Sequence, residues 1–400
     1  MLSIEDARER ILTAANPIGE TEVLATADAV GRVLAQAVLA RVDVPSLDNS
    51  QMDGYAVRSA EVTNAPSRLP VRGRFAAGQA PGTLEAGTAA RIFTGAPIPE
   101  GCDAIVIQEA TRVEGDHVVI LEAASAGQWI RRTGSDLRKG ATVLSRGQAL
   151  RPQHLGIAAS VGVARLEVVR RPKVALLCTG DELVAPGDDL PPGRIYNSNR
   201  FLLAGLIRML GCELYDLGMV SDNLEATKSA LANAAQGNDL VISTGGVSVG
   251  EEDHVKAAVS ALGALDMWKI AMKPGKPLAL GRIQGVPILG LPGNPVSSFI
   301  TFVLFVRPLL LRLMGAEARD PAPFGLRADF EWIGDPERRE FLRVRRNSDG
   351  GLDLFPSQNS ALLSSVAWAD GLVDVPAGLR VTRGQHVPFL PLSDLTGPVN

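Results

Sequence analysis

From Lys173 to Gly315, apolar runs of strand length alternate with segments of helix length, and this rhythm restricts the middle of the chain to a sheet wrapped by helices on both faces. Val174-Ala-Leu-Leu-Cys178 is a continuous apolar run that ends in Thr179-Gly180. A helix is predicted from about Ser198 to Leu210, stopped by Gly211, and a strand follows over Glu213 to Val220. Asp222-Asn-Leu-Glu225 has the pattern of a capping box, with Asp222 as N-cap of a helix reaching about Ala235. The strand Asp239 to Ser243, a helix from about Asp253 to Leu262, the strand Met267 to Met272 and a hairpin through Gly285 come next. The helix after Pro295 closes the unit, with the proline in the first turn, where its missing N–H costs nothing. Residues 172–315 are therefore expected to form a doubly wound α/β domain on a parallel sheet.

The rest of the chain reads differently. Ser3 to Ala15 is amphipathic with Ser3 as N-cap, and a second amphipathic segment, around Ala25 to Ala40, is interrupted by Gly31. From about Asp48 to Gly140, Gly and Pro punctuate short runs such as Ala104-Ile-Val-Ile-Gln108 and His117-Val-Val-Ile-Leu121, which predicts a β-rich module inserted near the N-terminus. After Gly315, the runs Phe341-Leu-Arg-Val344, Gly351-Leu-Asp-Leu-Phe355 and Gly371-Leu-Val-Asp-Val375 predict a small C-terminal β-barrel. The expected division is a linker domain built from 1–47 and 141–171, the β-rich module at 48–140, the α/β domain at 172–315 and the barrel at 316–400.

Composition removes several function classes. Lys plus Arg number 40 against 44 Asp plus Glu, so no global basic field exists to hold nucleic acid or an anionic membrane. Any bound anion must be held locally. The stretch Val286 to Val306 carries no charge, yet Pro287, Pro292, Gly293, Asn294 and Pro295 interrupt it, which reads as strand, turn and buried helix instead of a bilayer span. The N-terminus has acids and bases at helical spacing, not a basic region followed by an apolar one, so no secretory signal is read. Cys102, Cys178 and Cys212 are odd in number and far apart, which points away from a disulfide framework or zinc site and toward a cytoplasmic location.

In open α/β sheets, ligands bind beyond the carboxyl ends of the strands. Here those ends carry Thr179-Gly-Asp-Glu182, then Asp222, then Thr244-Gly-Gly-Val-Ser-Val-Gly-Glu-Glu-Asp253, Lys273-Pro-Gly-Lys276-Pro277 and Pro292-Gly-Asn-Pro295. Carboxylates and lysines converge on one edge. Asp181, Glu182, Asp222 and Asp253 suit a hard divalent ion such as Mg²⁺, while lysines and bare backbone N–H groups suit an oxyanion. The Thr244 to Gly250 loop matches neither a P-loop nor a Rossmann fingerprint, and bare backbone packing is an equal reading of it. Asp222 is equally an N-cap, and Asp53, followed by Gly54, is equally a turn residue.

The series Gln51-Met-Asp-Gly-Tyr-Ala56, Arg91-Ile-Phe-Thr-Gly-Ala-Pro-Ile-Pro99, Thr179-Gly-Asp-Glu-Leu183, Ser243-Thr-Gly-Gly-Val-Ser-Val-Gly-Glu-Glu-Asp253, Lys273-Pro-Gly-Lys-Pro277 and Leu291-Pro-Gly-Asn-Pro-Val-Ser297 resembles the molybdopterin molybdenumtransferase family, of MoeA and gephyrin E-domain type. The resemblance spans nearly the whole chain. It implies a central molybdopterin-binding α/β domain and an enzyme that takes adenylylated molybdopterin and molybdate and, with Mg²⁺, releases AMP to give molybdenum cofactor. It also implies an elongated homodimer whose cleft lies between the α/β domain of one subunit and the β module of the other. Asp53, Thr94 and Asp136 would then face the sheet edge, and Glu182, Asp222 and Asp253 would hold the metal and serve hydrolysis of the phosphoanhydride. By the same resemblance, Thr244, Gly245, Gly246, Ser248, Lys269, Lys273, Lys276, Pro277, Arg343 and Ser360 form the pterin, molybdate and phosphate pocket. Implied protein partners are a molybdopterin adenylyltransferase and downstream cofactor-handling proteins.

Two lysines, an arginine and hydroxyl donors suit a tetrahedral dianion. Trp129 stands where the family pattern leads one to expect a small polar residue, Ser135 where it tends to an acid, and Asn223 where a second Asp would follow Asp222. Competing readings are a non-catalytic scaffold or cofactor carrier, a nucleotide hydrolase on the same α/β domain, and tungstate in place of molybdate.

Overall fold

The computed structural model describes residues 1–245, 254–317 and 320–397. At its centre is a six-stranded sheet in the order Glu213–Val220, Lys173–Thr179, Leu240–Thr244, Val286–Leu291, Pro277–Ile283, Gly263–Lys269. The first four strands are parallel; Pro277–Ile283 runs antiparallel to Val286–Leu291 through the hairpin at Gly285, and the edge strand Gly263–Lys269, antiparallel to Pro277–Ile283, returns to the direction of the first four. The parallel sheet is thus interrupted by one reversed strand, that of the hairpin expected through Gly285, since a tight hairpin can join only antiparallel strands.

Side-chain alternation along Lys173–Thr179 explains the two covered faces. Val174 and Leu176 enter a core shared with the helix Ser198–Met209 and the helical run beginning at Pro295. Ala175 and Leu177 enter the opposite core, under the helices Leu224–Ala235 and His254–Leu262. The run Pro295–Leu313 is apolar and long enough to cross a bilayer, but 89% of its most apolar window is buried inside the fold. It is a core helix. Its middle, Phe302–Val306, is π-helical.

Ser3 caps the helix Ile4–Thr13 by accepting from Asp6 N at 3.0 Å, as its sequence predicts. Ile4, Ala7 and Ile11 form its buried stripe and pack into the same core as Leu309 and Leu310. The helix expected around 25–40 does not form. Thr21–Ala25 is a strand paired antiparallel with Arg165–Val169, and Leu34 N and Ala35 N donate to Gln148 O and Glu167 O. Apolar spacing there serves a small β core containing Leu34, Val38, Leu144 and Val168, so tertiary pairing overrides the helical period.

The Gly- and Pro-rich region forms a second six-stranded sheet, ordered Ala104–Ile107, Gly54–Val57, Ala89–Ile92, Ser67–Phe75, His117–Ile120, Thr111–Glu114. In the C-terminal region, Phe324–Ala328, Arg339–Arg346, Gly351–Leu354, Gly371–Val375 and His386–Pro391 close into a five-stranded barrel. The two-residue strand Met272–Lys273, just after the central sheet's edge strand, adds to this barrel alongside Arg339 and Glu340.

Candidate active site

The four parallel strands of the central sheet end together, and their following loops are locked to one another. Thr244, the last residue of its strand, is buried; its hydroxyl accepts from Asn199 Nδ2 at 3.0 Å and donates to Pro292 O at 3.3 Å. Asn199 Nδ2 also donates to Gly293 O at 2.7 Å. One amide in the first turn of Ser198–Met209 therefore ties two strand-end loops. Gly245 has φ +87, and a Cβ there would collide with the Thr179 carbonyl oxygen, so only glycine lets the loop turn away so close to the neighbouring strand.

Glu182 is exposed on the loop after Thr179, with its carboxylate folded back over Gly180. Asp222 is half-buried at the end of the adjacent strand. The helix that follows is capped by Asn223, which accepts from Ala226 N at 2.8 Å, not by Asp222. The cap is one residue later than predicted because Asn223 has the extended backbone that aims its side chain at that N–H. This separates Asp222 from the capping role. Asp253, Gly246 and Ser248 lie outside the described residues. The all-oxygen donors fit Mg²⁺ in kind; among the described residues alone, no three His, Cys, Asp or Glu side chains gather closely enough to hold a metal.

The basic side of the edge is the segment Lys269 to Pro277. Lys269 and Lys276 are exposed, and Lys269 pairs with Pro277 across the edge strands. Lys273 Nζ is 2.9 Å from the carboxylate of Glu340, a buried residue of the barrel. Ser360 reaches the same edge from the barrel side: its hydroxyl accepts from Asn294 Nδ2 at 3.1 Å, and its carbonyl accepts from Val296 N at 3.0 Å. Arg343 is enclosed, with 1% of its surface exposed, and donates to Phe341 O, Ser365 Oγ and Asn359 O. Burial pushes its guanidinium down to about 10.

In the β module, Asp53 and Thr94 are in contact. Asp53 Oδ1 accepts from both Thr94 N and Thr94 Oγ1 at 2.7 Å, and these bonds, helped by Arg91, hold the Asp53 carboxyl below its ordinary range. Arg91 is fixed in turn by Gly54 O at 3.0 Å and by the rings of Tyr55 and Phe93. Asp136 is exposed on a turn where its N–H donates to Val44 O. Trp129 has φ 55 and is 38% exposed.

Sequence reasoning did not single out Asn199, Asn294 or Glu340. Asn197-Ser-Asn199 carried a usable signal, since such clusters mark helix starts, and Asn197 is indeed the cap. Asn294 lies in the Pro292-Gly-Asn-Pro295 turn, but nothing local marked its partner Ser360, and nothing local marked Glu340.

A mixed sheet with glycine turns, carboxylates and a lysine loop on its carboxyl edge, flanked by a β module and a barrel, defines a multidomain protein built on an α/β ligand-binding domain. Residues 2–162 match the MoeA N-terminal region (domain I and II), 175–312 the probable molybdopterin binding domain, and 326–392 the MoeA C-terminal region (domain IV). The chain is 42% identical to the molybdopterin molybdenumtransferase of Haemophilus influenzae over 99% of this chain and 100% of that protein. It is 37% identical to that of a Nostoc species over 93% of this chain and 89% of that protein. The crystal structure of the molybdopterin biosynthesis MoeA protein from Pyrococcus horikoshii is similar with a TM-score of 0.86 and 28% identity, covering 98% of this chain and 100% of that one. The chain belongs to the molybdopterin molybdenumtransferase family.

Proposed function

We propose that this chain is the transferase of molybdenum cofactor biosynthesis that loads molybdate onto adenylylated molybdopterin and releases AMP, acting as a cytoplasmic homodimer. Family membership carries the transferase assignment. The observation that supports the site is the sheet edge itself: Asn199 ties the loops after Thr244 and Leu291, and Ser360 docks the barrel beside them.

In this reading, Thr244, Gly245 and Gly246, with Ser248, offer hydroxyls and unobstructed backbone N–H groups to phosphate oxygens. Lys269, Lys273, Lys276 and Pro277 line the opposite wall, where the lysines place positive charge beside the incoming molybdate; Arg343 backs the pocket from inside the barrel. Glu182, Asp222 and Asp253 would hold Mg²⁺, which supplies neutralisation of charge on the phosphoanhydride oxygens. The bonds of Asp53 and Thr94 stay within their own module, leaving that pair, with Asp136, to meet the sheet edge of a second subunit. The four-part division at residues 1–47 with 141–171, 48–140, 172–315 and 316–400 belongs to the same proposal. A molybdopterin adenylyltransferase would supply the substrate, and cofactor-handling proteins would receive the product.

The test is AMP release from adenylylated molybdopterin by the purified protein with Mg²⁺, with and without molybdate, followed by reconstitution of a molybdoenzyme apoprotein. Molybdate-dependent release that Asp253→Ala abolishes in a folded protein is the expected result. Tight pterin binding without turnover would favour a scaffold, and turnover of simple nucleotides alone a hydrolase.

A further inference from the structure

We propose a second anion site, remote from the strand-end loops, in the cavity between the N-terminal helix Ile4–Thr13 and the helix Arg307–Leu313, built to take a small phosphate-type oxyanion on Arg307. The cavity has a volume of about 310 Å³, at the small end for ligand pockets. Arg8, Arg307, Arg312 and Asp320 are its charged lining, and Pro17 and Leu311 contribute apolar wall.

Arg307 is the reason to expect a ligand. Only 3% of its surface is exposed, its Nε is enclosed without a hydrogen-bond partner, and no carboxylate lies within ion-pair distance among the described residues. The π-helical turn Phe302–Val306 delivers it into this position from the core helix. A buried guanidinium N–H with no acceptor is unfavourable, and proteins otherwise satisfy such donors. Burial accordingly pushes its ionisation downward.

Its carboxylate neighbours Asp320 and Asp394 attract it without forming an ion pair with it. Asp320 is committed to Arg8, whose Nη1 and Nη2 both donate to its carboxylate. Arg8 Nε is likewise enclosed without a partner. Arg312 gives Nε to Ala15 O at 3.0 Å and adds its charge from the exposed side. Among the described residues, the three guanidiniums of Arg8, Arg307 and Arg312 stand against Asp320 and, from outside the cavity lining, Asp394, which leaves one net positive charge and suits a phosphate-type monoanion. The donor chemistry is that of arginine forks, which bind phosphate-type oxygens in bidentate fashion. Such an oxyanion would clamp the N-terminal helix to the end of the core helix. Free inorganic phosphate and a phosphate ester present the same oxygens.

The test measures thermal unfolding of the full-length protein against inorganic phosphate, with chloride at matched ionic strength as control, and repeats it with a small phosphate monoester. A saturable rise in Tm specific to phosphate is expected, with the midpoint concentration raised about tenfold or more by Arg307→Met. Basal Tm of Arg307→Met should equal or exceed that of the wild type, because a buried unpaired charge is removed. Arg312→Gln, on the exposed side, should fold normally and weaken the response to a lesser degree. An ester response exceeding that of phosphate, and equally lost in Arg307→Met, identifies the esterified source. A phosphate response identical in all three proteins, or none beyond chloride, overturns the proposal. So does a basal loss in Arg307→Met with the phosphate response retained.

Discussion

Lys273 Nζ lies 2.9 Å from Glu340 Oε1, joining the basic loop at the edge of the α/β sheet to a buried carboxylate of the barrel. The other Glu340 oxygen accepts from Trp332 Nε1 and Asp335 N, each at 2.8 Å. The carboxylate is thus satisfied mainly from inside the barrel, and Lys273, 41% exposed, is its outer partner.

That asymmetry fixes the expected order of two substitutions. Lys273→Ala removes a partly solvated ion pair and should cost at most about 1 kcal/mol. Glu340→Ala leaves two half-buried donors, Trp332 Nε1 and Asp335 N, without their acceptor and should cost about 1–3 kcal/mol. Denaturant unfolding followed by tryptophan fluorescence compares them, and equal losses would show that the ion pair carries the joint.

Asn199→Asp should damage the strand-end loops. The amide that donates to Thr244 Oγ1 and Gly293 O becomes a carboxylate facing the Gly293 carbonyl oxygen, with no proton to give. A loss of about 2–3 kcal/mol is expected, with faster hydrogen exchange in the loops after Thr244 and Leu291. Unchanged exchange there would remove Asn199 from the role of tie.

Asp53 gives a pH prediction. Its folded-state carboxyl titrates below the ordinary value because Thr94 donates to it twice. The associated stabilisation is present above the unfolded-state value and disappears as pH falls through the lowered native value. Thr94→Val keeps the backbone donor and loses the hydroxyl, so Asp53 should titrate at higher pH than in the wild type. Carboxyl carbon NMR of aspartate-labelled protein reads this directly, and an unmoved Asp53 titration would refute it.

The thiols should resist modification. Burial pushes Cys102 and Cys178 up to about 11 and Cys212 up to about 12, which suppresses the reactive thiolate at neutral pH. A chromogenic disulfide reagent should react slowly with native protein at pH 8 and rapidly with all three thiols after denaturation. A fast native equivalent would place one thiol in contact with solvent.

Much of the fold is legible because the central domain buries both sheet faces, and burial writes itself into composition: Val174-Ala-Leu-Leu-Cys178 could be little but an inner strand. Strand order is not written there: the hairpin at Gly285 is legible, with the antiparallel pairing it forces, but not that Gly263–Lys269 adds beyond it as the edge strand. Around 25–40, the spacing of Leu34 and Val38 satisfies a helix and a β corner alike, and only the distant partners Gln148 and Glu167 decide. The same limit governs the site. Asp53 and Thr94 are recognisable by motif, but their 2.7 Å contact and the Glu340 anchor of Lys273 depend on pairings between remote segments. The cap at Asn223 turns on one backbone conformation, finer than a residue pattern resolves.

Met272–Lys273 has a consequence for how separable the barrel is. Arg339–Arg346 pairs with Gly371–Val375 along one side, while on the other Gly351–Leu354 covers only Val344 to Arg346, and the two borrowed residues fill the start of the gap beside Arg339 and Glu340. A fragment cut near residue 316 would carry all five barrel strands and still expose a raw edge, the kind of surface that recruits other chains. The C-terminal region is therefore not a portable cassette: moved to another protein, it would arrive with a seam that only its original neighbour can close.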